Sequence, residues 1–409
     1  MVPLQIGREE VLAQLRANSR TVQPSERGGF VGEFITSAEF DRTEYPFEWL
    51  VEDVMVEGQP AIWGGEKKTH KTSIAIELAV ALGSGAEDSR FLTRFNVPNR
   101  KRVLLMSGES GEATIQETSR RICRAHNVTM SDLWVDWGFH LPKLANDKDL
   151  KTLERVIGDH GEQVVIIDPL YLCLLAGKPE FQAQNFYHTG PLLGDVSRAC
   201  LAAGATPILI HHAVKNRNPK EAYKPMELGD LSYSGVAEFA RQWILLSHRS
   251  RFDPNDPLGL HRLWMNVGGS AGFHGLWGID IVEGQRYGDS GVRRWRVTVT
   301  SAESAERERS EATSRRREND ANDRDARDEA RMLEVLGRYP DGEVLTTLAT
   351  AVNVSNAKGR AVLDRLVALR RAENCQVIRT NQNGSQSSRP GYRSVGGATP
   401  DLEHPIEDE

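Results

Sequence analysis

The sequence predicts an α/β protein with a mostly parallel sheet, joined to a second, small α+β unit. Between about residues 47 and 300, short β-rich apolar runs alternate with stretches of helical period. This alternation is typical of crossover units on a parallel sheet. The next segment is rich in Arg, Glu, Asp and Ser with almost no large apolar residue, so it cannot build a core. The predicted organisation is an N-terminal arm (1–45), the large unit (46–300), a charged linker (301–329), the small unit (330–396) and an acidic tail (397–409). The linker is expected to be either disordered or a solvated helix.

Each element of the large unit is predicted from its hydrophobic period and its flanking turn residues. The strands are predicted at 60–63, 102–107, 134–141, 163–168 and 206–211. The helices between them are predicted at 72–82, 112–125, 147–158 and 192–203, and a short helical pattern lies at 9–15 in the arm. Three further strands, at 263–267, 276–281 and 295–299, either extend the sheet or form an antiparallel edge.

Composition limits the classes of function. The 409 residues carry 51 Lys+Arg against 57 Asp+Glu, a net charge of -6, so nucleic-acid binding would have to be local. The 4 cysteines are scattered without a close pair, which favours neither a zinc site nor a disulfide framework. A basic-then-apolar leader and an apolar run of about 18 residues are both missing from the sequence. We therefore expect a cytoplasmic protein without membrane association.

A phosphate-binding pattern follows the first apolar strand and opens a helix. Its ten residues are Gly64, Gly65, Glu66, Lys67, Lys68, Thr69, His70, Lys71, Thr72 and Ser73. In a P-loop, backbone N–H groups face the phosphates, a lysine neutralises the β and γ oxygens, and a hydroxyl holds Mg²⁺. The pattern predicts a site for ATP and Mg²⁺, with Lys71 and Thr72 in the last two roles.

One position departs from the P-loop pattern. His70 stands before the lysine, where glycine is expected, and its Cβ would crowd the approach of the backbone to a phosphate unless the side chain points outward. The alternative interpretation is a lysine-rich turn between a strand and a helix.

Two carboxylates are candidates for the remaining catalytic roles. Asp168 ends the apolar strand 163–168, where a Walker B aspartate would hold Mg²⁺; the alternative is a capping Asp at an ordinary strand end. Because Pro169 follows directly, the base that orients the attacking water must lie elsewhere. Glu109, just past the strand 102–107, is the candidate, and Glu112 is the second choice. Either glutamate could instead only stabilise a helix N-terminus.

A histidine pair ends the strand 206–211. His211 and His212 at the carboxyl edge of a sheet could hydrogen-bond the γ-phosphate, and His212 is the candidate for this role. Metal binding is less favoured because adjacent residues on a strand point to opposite faces. The alternative is a structural histidine.

Together these residues resemble the hexameric RepA-type replicative helicases of the RecA/DnaB superfamily. The resemblance covers roughly residues 45–250 and includes the runs 48–51, 168–171 and 240–243 as well as the histidine pair. It implies a RecA-like P-loop NTPase core, hydrolysis of ATP, and a homo-oligomeric ring. It also implies that Arg241 acts as an arginine finger on the ATP of a neighbouring subunit.

Two basic regions are predicted to contact DNA. In the loop after the histidine pair, Lys215 and Arg217 would pair with phosphates of single-stranded DNA in a central channel; the alternative is a solvated loop. The small unit combines three helices with a hairpin at 376–380 and 392–395, as in a winged helix-turn-helix, and would bind duplex DNA or dock a protein. Its candidate DNA contacts are Lys358, Arg360, Arg365 and Arg379.

Two hypotheses for function follow. The first is an ATP-driven DNA helicase or translocase of RepA type, acting in the replication of a plasmid, phage or mobile element. The second is an ATP-switched DNA-binding regulator or loader with slow or no hydrolysis, which His70 and the winged helix favour. A small-molecule kinase is a third and weaker hypothesis, because the sequence shows no signature for binding a phosphate-accepting substrate.

Overall fold

The computed structural model describes residues 34–175, 186–214, 222–233, 235–284, 293–380 and 386–395. The chain divides into two compact units, 1–302 and 303–409. The helix predicted at 9–15 and the tail at 397–409 lie outside the described residues.

The first unit contains seven helices and thirteen strands in its described residues. The helices are α1 (Ser37–Arg42), α2 (Lys71–Ser84), α3 (Glu112–Ala125), α4 (Asp147–His160), α5 (Leu170–Leu175), α6 (Phe186–Ala202) and α7 (Val236–Phe239). The strands are β1 (Trp49–Val51), β2 (Met55–Val56), β3 (Ala61–Gly65), β4 (Arg90–Phe91), β5 (Phe95–Asn96), β6 (Val103–Ser107), β7 (Val135–Gly138), β8 (Val164–Asp168), β9 (Thr206–His212), β10 (Gln242–His248), β11 (Leu260–Gly269), β12 (His274–Val282) and β13 (Arg296–Ser301).

Nine of these strands form one sheet in the order β13-β12-β11-β10-β3-β9-β8-β6-β7. The six strands from β10 to β7 are parallel. The other three continue from β10 as an antiparallel extension. The predicted mostly parallel sheet is therefore confirmed, and the last three strands both extend it and form its antiparallel edge.

Both faces of the parallel part are buried except at the edge strand β7, which explains why the inner strands have continuous apolar sequences. Along β8, Val164 and Ile166 point into one core and Val165 and Ile167 into the other. Helices α2 and α3 cover the first face, and α4 and α6 cover the second. Helix α2 is buried on almost every side from Ile74 to Gly83, so it lies within the fold and cannot shift without disturbing the core.

Several short elements were not predicted. They are the capped turn α1, the two-strand pairs β1–β2 and β4–β5, and the short helices α5 and α7. Each has 6 residues or fewer, which is too short for a hydrophobic period to be recognised.

The second unit contains three helices and a hairpin. They are α8 (Ala302–Leu336, which begins one residue before the boundary), α9 (Leu345–Val352), α10 (Asn356–Ala368), β14 (Ala372–Thr380) and β15 (Gln386–Ser394). The charged segment 301–329, for which disorder or a solvated helix had been expected, lies almost entirely within α8. A small core that includes Met332, Leu348 and Leu363 joins the three helices. The side chain of Ser355 caps α10 by accepting from the N–H of Lys358.

In the part of the chain that the structure describes, the helices are all too short or too polar to cross a lipid bilayer.

Candidate nucleotide site

The carboxyl ends of the parallel strands bring the predicted site residues to one edge of the sheet. In the strand register, Gly65 at the end of β3 pairs with His212 at the end of β9. Ser107 at the end of β6 pairs with Asp168 at the end of β8. Loops at this edge of an open α/β sheet are where ligands bind in this architecture. The strand β9 separates the strand of the P-loop from the strand of Asp168.

The loop that follows β3 is held tightly at its start. A Cβ on Gly64 would lie 2.2 Å from Leu231 Cδ2, and one on Gly65 would lie 2.9 Å from the carbonyl oxygen of Leu246. The backbone N–H of Glu66 donates to that same carbonyl at 3.1 Å. Both glycines are therefore required by the close approach of β10 and its neighbours.

The ammonium group of Lys71 lies inside the loop. Its Nζ donates to the carbonyl oxygens of Gly65 at 3.1 Å and Glu66 at 2.7 Å, and the residue is only 8% exposed. Burial lowers the pKa of Lys71 to about 8, against the opposing effect of nearby Asp168. At neutral pH the site holds a largely protonated, poorly hydrated cation, which is what the β and γ oxygens of a nucleotide require.

Thr72 and Asp168 meet directly, as the prediction of a shared Mg²⁺ site requires. The Thr72 hydroxyl donates to Asp168 Oδ2 at 2.5 Å. Burial raises the pKa of Asp168 to about 6, while the hydrogen bond from Thr72 and the charge of Lys71 oppose the rise. The carboxylate is ionised at neutral pH. A hydroxyl and a carboxylate at this spacing supply the hard oxygen ligands that Mg²⁺ prefers.

Glu109 lies at the same edge, in the turn between β6 and α3, and has an unpredicted partner. The phenol of Tyr171, on α5, donates to Glu109 Oε1 at 2.5 Å, and this bond raises the pKa of Tyr171 to about 12. The charge of Glu109 acts on both Lys71 and Asp168. Glu112, the second choice, is an exposed residue in the first turn of α3.

His70 adopts the left-handed conformation, with φ 58° and ψ 26°, as the N-cap of α2. This conformation is the one that glycine adopts without strain. The imidazole packs edge-on against the ring of His261, with 4.1 Å between centroids. Burial lowers the pKa of His70 to about 4, so the ring is neutral. The side chain thus has a defined place against β11.

The two histidines at the end of β9 have different environments. His211 is buried, and its Nε2 lies 2.8 Å from the carbonyl oxygen and 3.0 Å from the hydroxyl of Ser232. Burial lowers its pKa to about 4. His212 is half-buried, 5.5 Å from the ring of Tyr171, and burial also lowers its pKa. The structural interpretation therefore fits His211, and His212 lies beside the tyrosine that holds Glu109.

Arg241 lies at the opposite end of the sheet. It precedes β10, whose first residue Gln242 pairs with Ala61 at the start of β3, and it is exposed. Within one chain it is therefore remote from Lys71. A contact between Arg241 and a nucleotide requires a second subunit, as the resemblance implied.

The predicted DNA contacts in the second unit are mostly engaged in ion pairs. Lys358 pairs with Asp328, Arg365 with Asp325 at 2.8 Å, and Arg379 with Glu343 at 2.5 Å. The face of α10 that carries Lys358 and Arg365 therefore packs toward the acidic side chains of α8. Arg360 is exposed and has no such ion pair among the described residues. Lys215 and Arg217 lie outside the described residues.

The sequence did not point to Tyr171 or His248. The N–H of His248 donates to Glu66 Oε2 at 2.9 Å, and its Nε2 lies 3.0 Å from the carbonyl oxygen of Lys67, so the end of β10 holds the tip of the loop. Tyr171 had been noted only as part of the run 168–171. Both act through side chains brought in from distant sequence positions, which no local pattern predicts.

The sheet order and the meeting of Lys71, Thr72 and Asp168 define a P-loop nucleotide-binding site. A sequence model of a family described as an AAA domain matches residues 33–218, a region that contains all three residues. This match supports a P-loop ATPase domain, with the binding of a nucleotide and Mg²⁺ that such domains imply. No curated protein sequence matches the chain.

Proposed function

We propose that the protein is a ring-forming, ATP-driven DNA helicase or translocase of RepA type, acting in DNA replication. The main support for the proposal is that four side chains lie at one edge of the sheet: Lys71, Thr72, Asp168 and Glu109. The base candidate follows β6, the strand directly beside the Asp168 strand. This arrangement brings a carboxylate that could orient water to the same edge of the sheet as the P-loop.

Each residue has a separate task in hydrolysis. Lys71 would exchange its bonds to loop carbonyls for bonds to phosphate oxygens, and Thr72 and Asp168 would hold Mg²⁺. When bound, Mg²⁺ offsets charge on the β and γ oxygens. Glu109 would accept a hydrogen bond from the attacking water on its second oxygen, while Tyr171 fixes the first. His212, whose ring lies 5.5 Å from that of Tyr171, would hydrogen-bond the γ-phosphate.

The first experiment measures phosphate release with and without single-stranded DNA, together with the oligomeric state with and without nucleotide. The proposal expects nucleotide-promoted oligomers and an ATPase rate that single-stranded DNA increases. A strictly monomeric protein whose ATPase ignores DNA would contradict it.

The role of Arg241 in trans can be tested by mixing inactive variants. Arg241→Ala and Lys71→Ala are each expected to lose hydrolysis. In a mixed ring, a subunit with intact Lys71 can receive Arg241 from its neighbour, so mixing the two variants should restore part of the activity. Mixtures as inactive as the separate variants would show that Arg241 does not serve a neighbouring site.

DNA contacts are proposed for two places. Lys215 and Arg217 are proposed to bind phosphates of single-stranded DNA in the central channel. Replacing both by Ala should remove the stimulation of ATP hydrolysis by DNA while leaving the basal rate unchanged.

The second unit is proposed to be a winged helix that binds duplex DNA. Arg360→Ala should weaken duplex binding more than Arg365→Ala, because Arg365 is held by Asp325 and Glu329. Equal effects would indicate that DNA displaces α8 acidic groups.

The alternative, an ATP-operated switch with slow or no hydrolysis, is favoured by one observation. Tyr171 donates to Glu109 at 2.5 Å, which reduces the ability of this carboxylate to accept a proton. The switch predicts tight nucleotide binding with negligible turnover in the wild type, and a clear gain in turnover for Tyr171→Phe.

A further inference from the structure

A second cluster of titratable side chains lies at the amino end of the sheet, away from the nucleotide site. It contains Asp136 on β7, His160 at the end of α4, and Glu162, which precedes β8 by two residues. One ligand-type atom from each of the three lies within 4.8 Å of those of the other two. The Nδ1 atom of His160 is 3.8 Å from Asp136 Oδ2. We refer to these three residues as the amino-end cluster.

Glu162 is the unusual member. The residue is 2% exposed, and neither carboxylate oxygen has a hydrogen-bond partner among the described residues. A buried carboxylate without donors is costly unless it is neutralised. Asp136, its neighbour in the cluster, also carries a carboxylate, which repels Glu162 unless the two acids share a proton. The position therefore requires a proton shared by the two acids or a bound cation.

Arg102, a cation near the cluster, is not positioned to neutralise Glu162. Arg102 lies 3.9 Å from Asp136 Oδ2, and about 40% of its side chain is exposed to solvent. It makes no hydrogen bond to Glu162. A surface guanidinium at this distance gives little net stabilisation, and it can turn away into solvent.

The donor set is suited to a divalent transition metal. Imidazole nitrogen favours zinc and similar ions over Mg²⁺ and Ca²⁺, and two carboxylates supply the balancing charge. Around one zinc ion, ligand atoms lie about 3–4 Å apart. Asp136 and His160 are 45% and 57% exposed in their side chains, so both can rotate to close the remaining distance. Water can reach the open position from that side.

The other group of this kind, His70, His261 and Glu283, is a weaker candidate. Glu283 Oε1 already accepts from Arg121 and Arg293, each at 2.7 Å. Two guanidinium groups neutralise that carboxylate and would repel a divalent cation. In the amino-end cluster the buried carboxylate has no such partner.

We propose that Asp136, His160 and Glu162 bind one divalent transition-metal ion such as Zn²⁺, with water completing the coordination. The ion would join β7, the edge strand of the sheet, to the end of α4 and the start of β8. It would act as a structural link at the amino end, separate from the nucleotide site. The proposal does not depend on the helicase function.

The test uses the full-length, tag-free protein after treatment with EDTA and removal of the chelator. Zn²⁺ is titrated against a chromophoric chelator in excess Mg²⁺, and the Tm is measured with and without Zn²⁺. The wild type is expected to bind one Zn²⁺ per chain and to gain Tm. Glu162→Gln and His160→Gln should weaken binding at least about tenfold and lose the gain in Tm. Asp159→Asn, an exposed neighbour, and His261→Gln, in the other cluster, should behave as the wild type.

Two results of this test would overturn the metal proposal. If Zn²⁺ does not raise the wild-type Tm and Glu162→Gln raises it, the two acids share a proton and the metal proposal is overturned. Zinc binding that survives Glu162→Gln and is lost in His261→Gln would also overturn it, because the ion would then lie in the other cluster. Should Glu162→Gln fail to fold, Asp136→Asn, at a half-exposed position, supplies the same comparison.

Discussion

Strand β8 runs between two buried carboxylates, Glu162 just before it and Asp168 at its end. Burial raises the pKa of both, to about 8 for Glu162 and to about 6 for Asp168. Asp168 receives a hydrogen bond from Thr72 and lies near the charge of Lys71. Glu162 faces another acid, Asp136, which raises its pKa further.

The difference between Asp168 and Glu162 shows that the end of a parallel sheet at which a carboxylate lies determines which groups surround it. At the carboxyl end, a glycine-rich loop and a helix N-terminus supply N–H groups, a lysine and a hydroxyl, which favour an ionised carboxylate. At the amino end the strands enter from loops that supply no comparable donors to Glu162. Within one chain, we therefore expect catalysis to depend on the carboxyl end and stability on the amino end, where Arg241 would act only on the nucleotide of a neighbouring subunit.

The largest effect is expected from Lys71→Ala. Removing a buried cation from the phosphate site should lower the rate of ATP hydrolysis by about 100-fold or more. The measurement is steady-state phosphate release at saturating Mg²⁺ and ATP. Lys151→Ala, on the exposed surface of α4, removes the same charge elsewhere and should hydrolyse ATP at the wild-type rate. An active Lys71→Ala would refute the assignment of the P-loop.

The next effect is expected from Glu109→Gln. Loss of the carboxylate that orients water should lower turnover by about 100-fold, while nucleotide affinity, measured by calorimetry, stays close to wild type. Glu112→Gln should have a much smaller effect, since the charge of Glu109, and not that of Glu112, acts on Lys71 and Asp168. If instead Glu112→Gln were inactive and Glu109→Gln active, the base would be Glu112.

At the amino end, Gln242→Ala should reduce stability without abolishing chemistry. The Gln242 amide accepts from the N–H of Val56 and donates to the carbonyl oxygens of Val56 and Gln59. Its loss leaves buried backbone groups unpaired, so the free energy of unfolding should fall by about 3 kcal/mol in urea titrations. Gln116→Ala, at an exposed site on α3, should change it by less than about 0.5 kcal/mol. Loss of ATPase in folded Gln242→Ala protein would break the proposed division.

The smallest effect concerns His211 and pH. Its folded-state pKa of about 4 lies below the ordinary 6.5, so between these values the unfolded chain binds the proton and the folded chain does not. The stability that the neutral ring contributes is complete above pH 6.5 and is lost as pH falls toward 4.

The wild type should therefore lose about 2 kcal/mol more than His211→Gln between pH 7 and pH 4. Urea unfolding at the two pH values measures this difference. His274→Gln, at an exposed position of β12, should follow the wild-type curve. Parallel curves for wild type and His211→Gln would mean that the buried imidazole does not titrate as expected.

Much of the fold follows from local sequence. The alternation of apolar runs and helical periods predicted every parallel strand that precedes β10, and the helices α2, α3 and α4, to within three residues of their ends. Helix α6 was also predicted, but it begins at Phe186 and not at residue 192. The P-loop pattern placed Lys71 and Thr72 because glycines, a lysine and a hydroxyl must be adjacent in the chain to surround a phosphate. Asp168 ends an apolar strand and Glu109 follows one, and because parallel strands end at the same edge the sequence predicted that the two would lie near each other; their catalytic roles stay predictions.

Only the tertiary structure decided which side chains meet across the sheet. The bond from Tyr171 to Glu109, the support of the loop by His248 and the packing of His70 on His261 each join residues that are 60 or more positions apart. In the second unit, the ion pair between Lys358 and Asp328 likewise joins two different helices, α10 and α8. The hydrophobic period of a sequence indicates which face of a helix or strand is apolar. Which side chains meet depends instead on strand order and register, and long-range packing determines both.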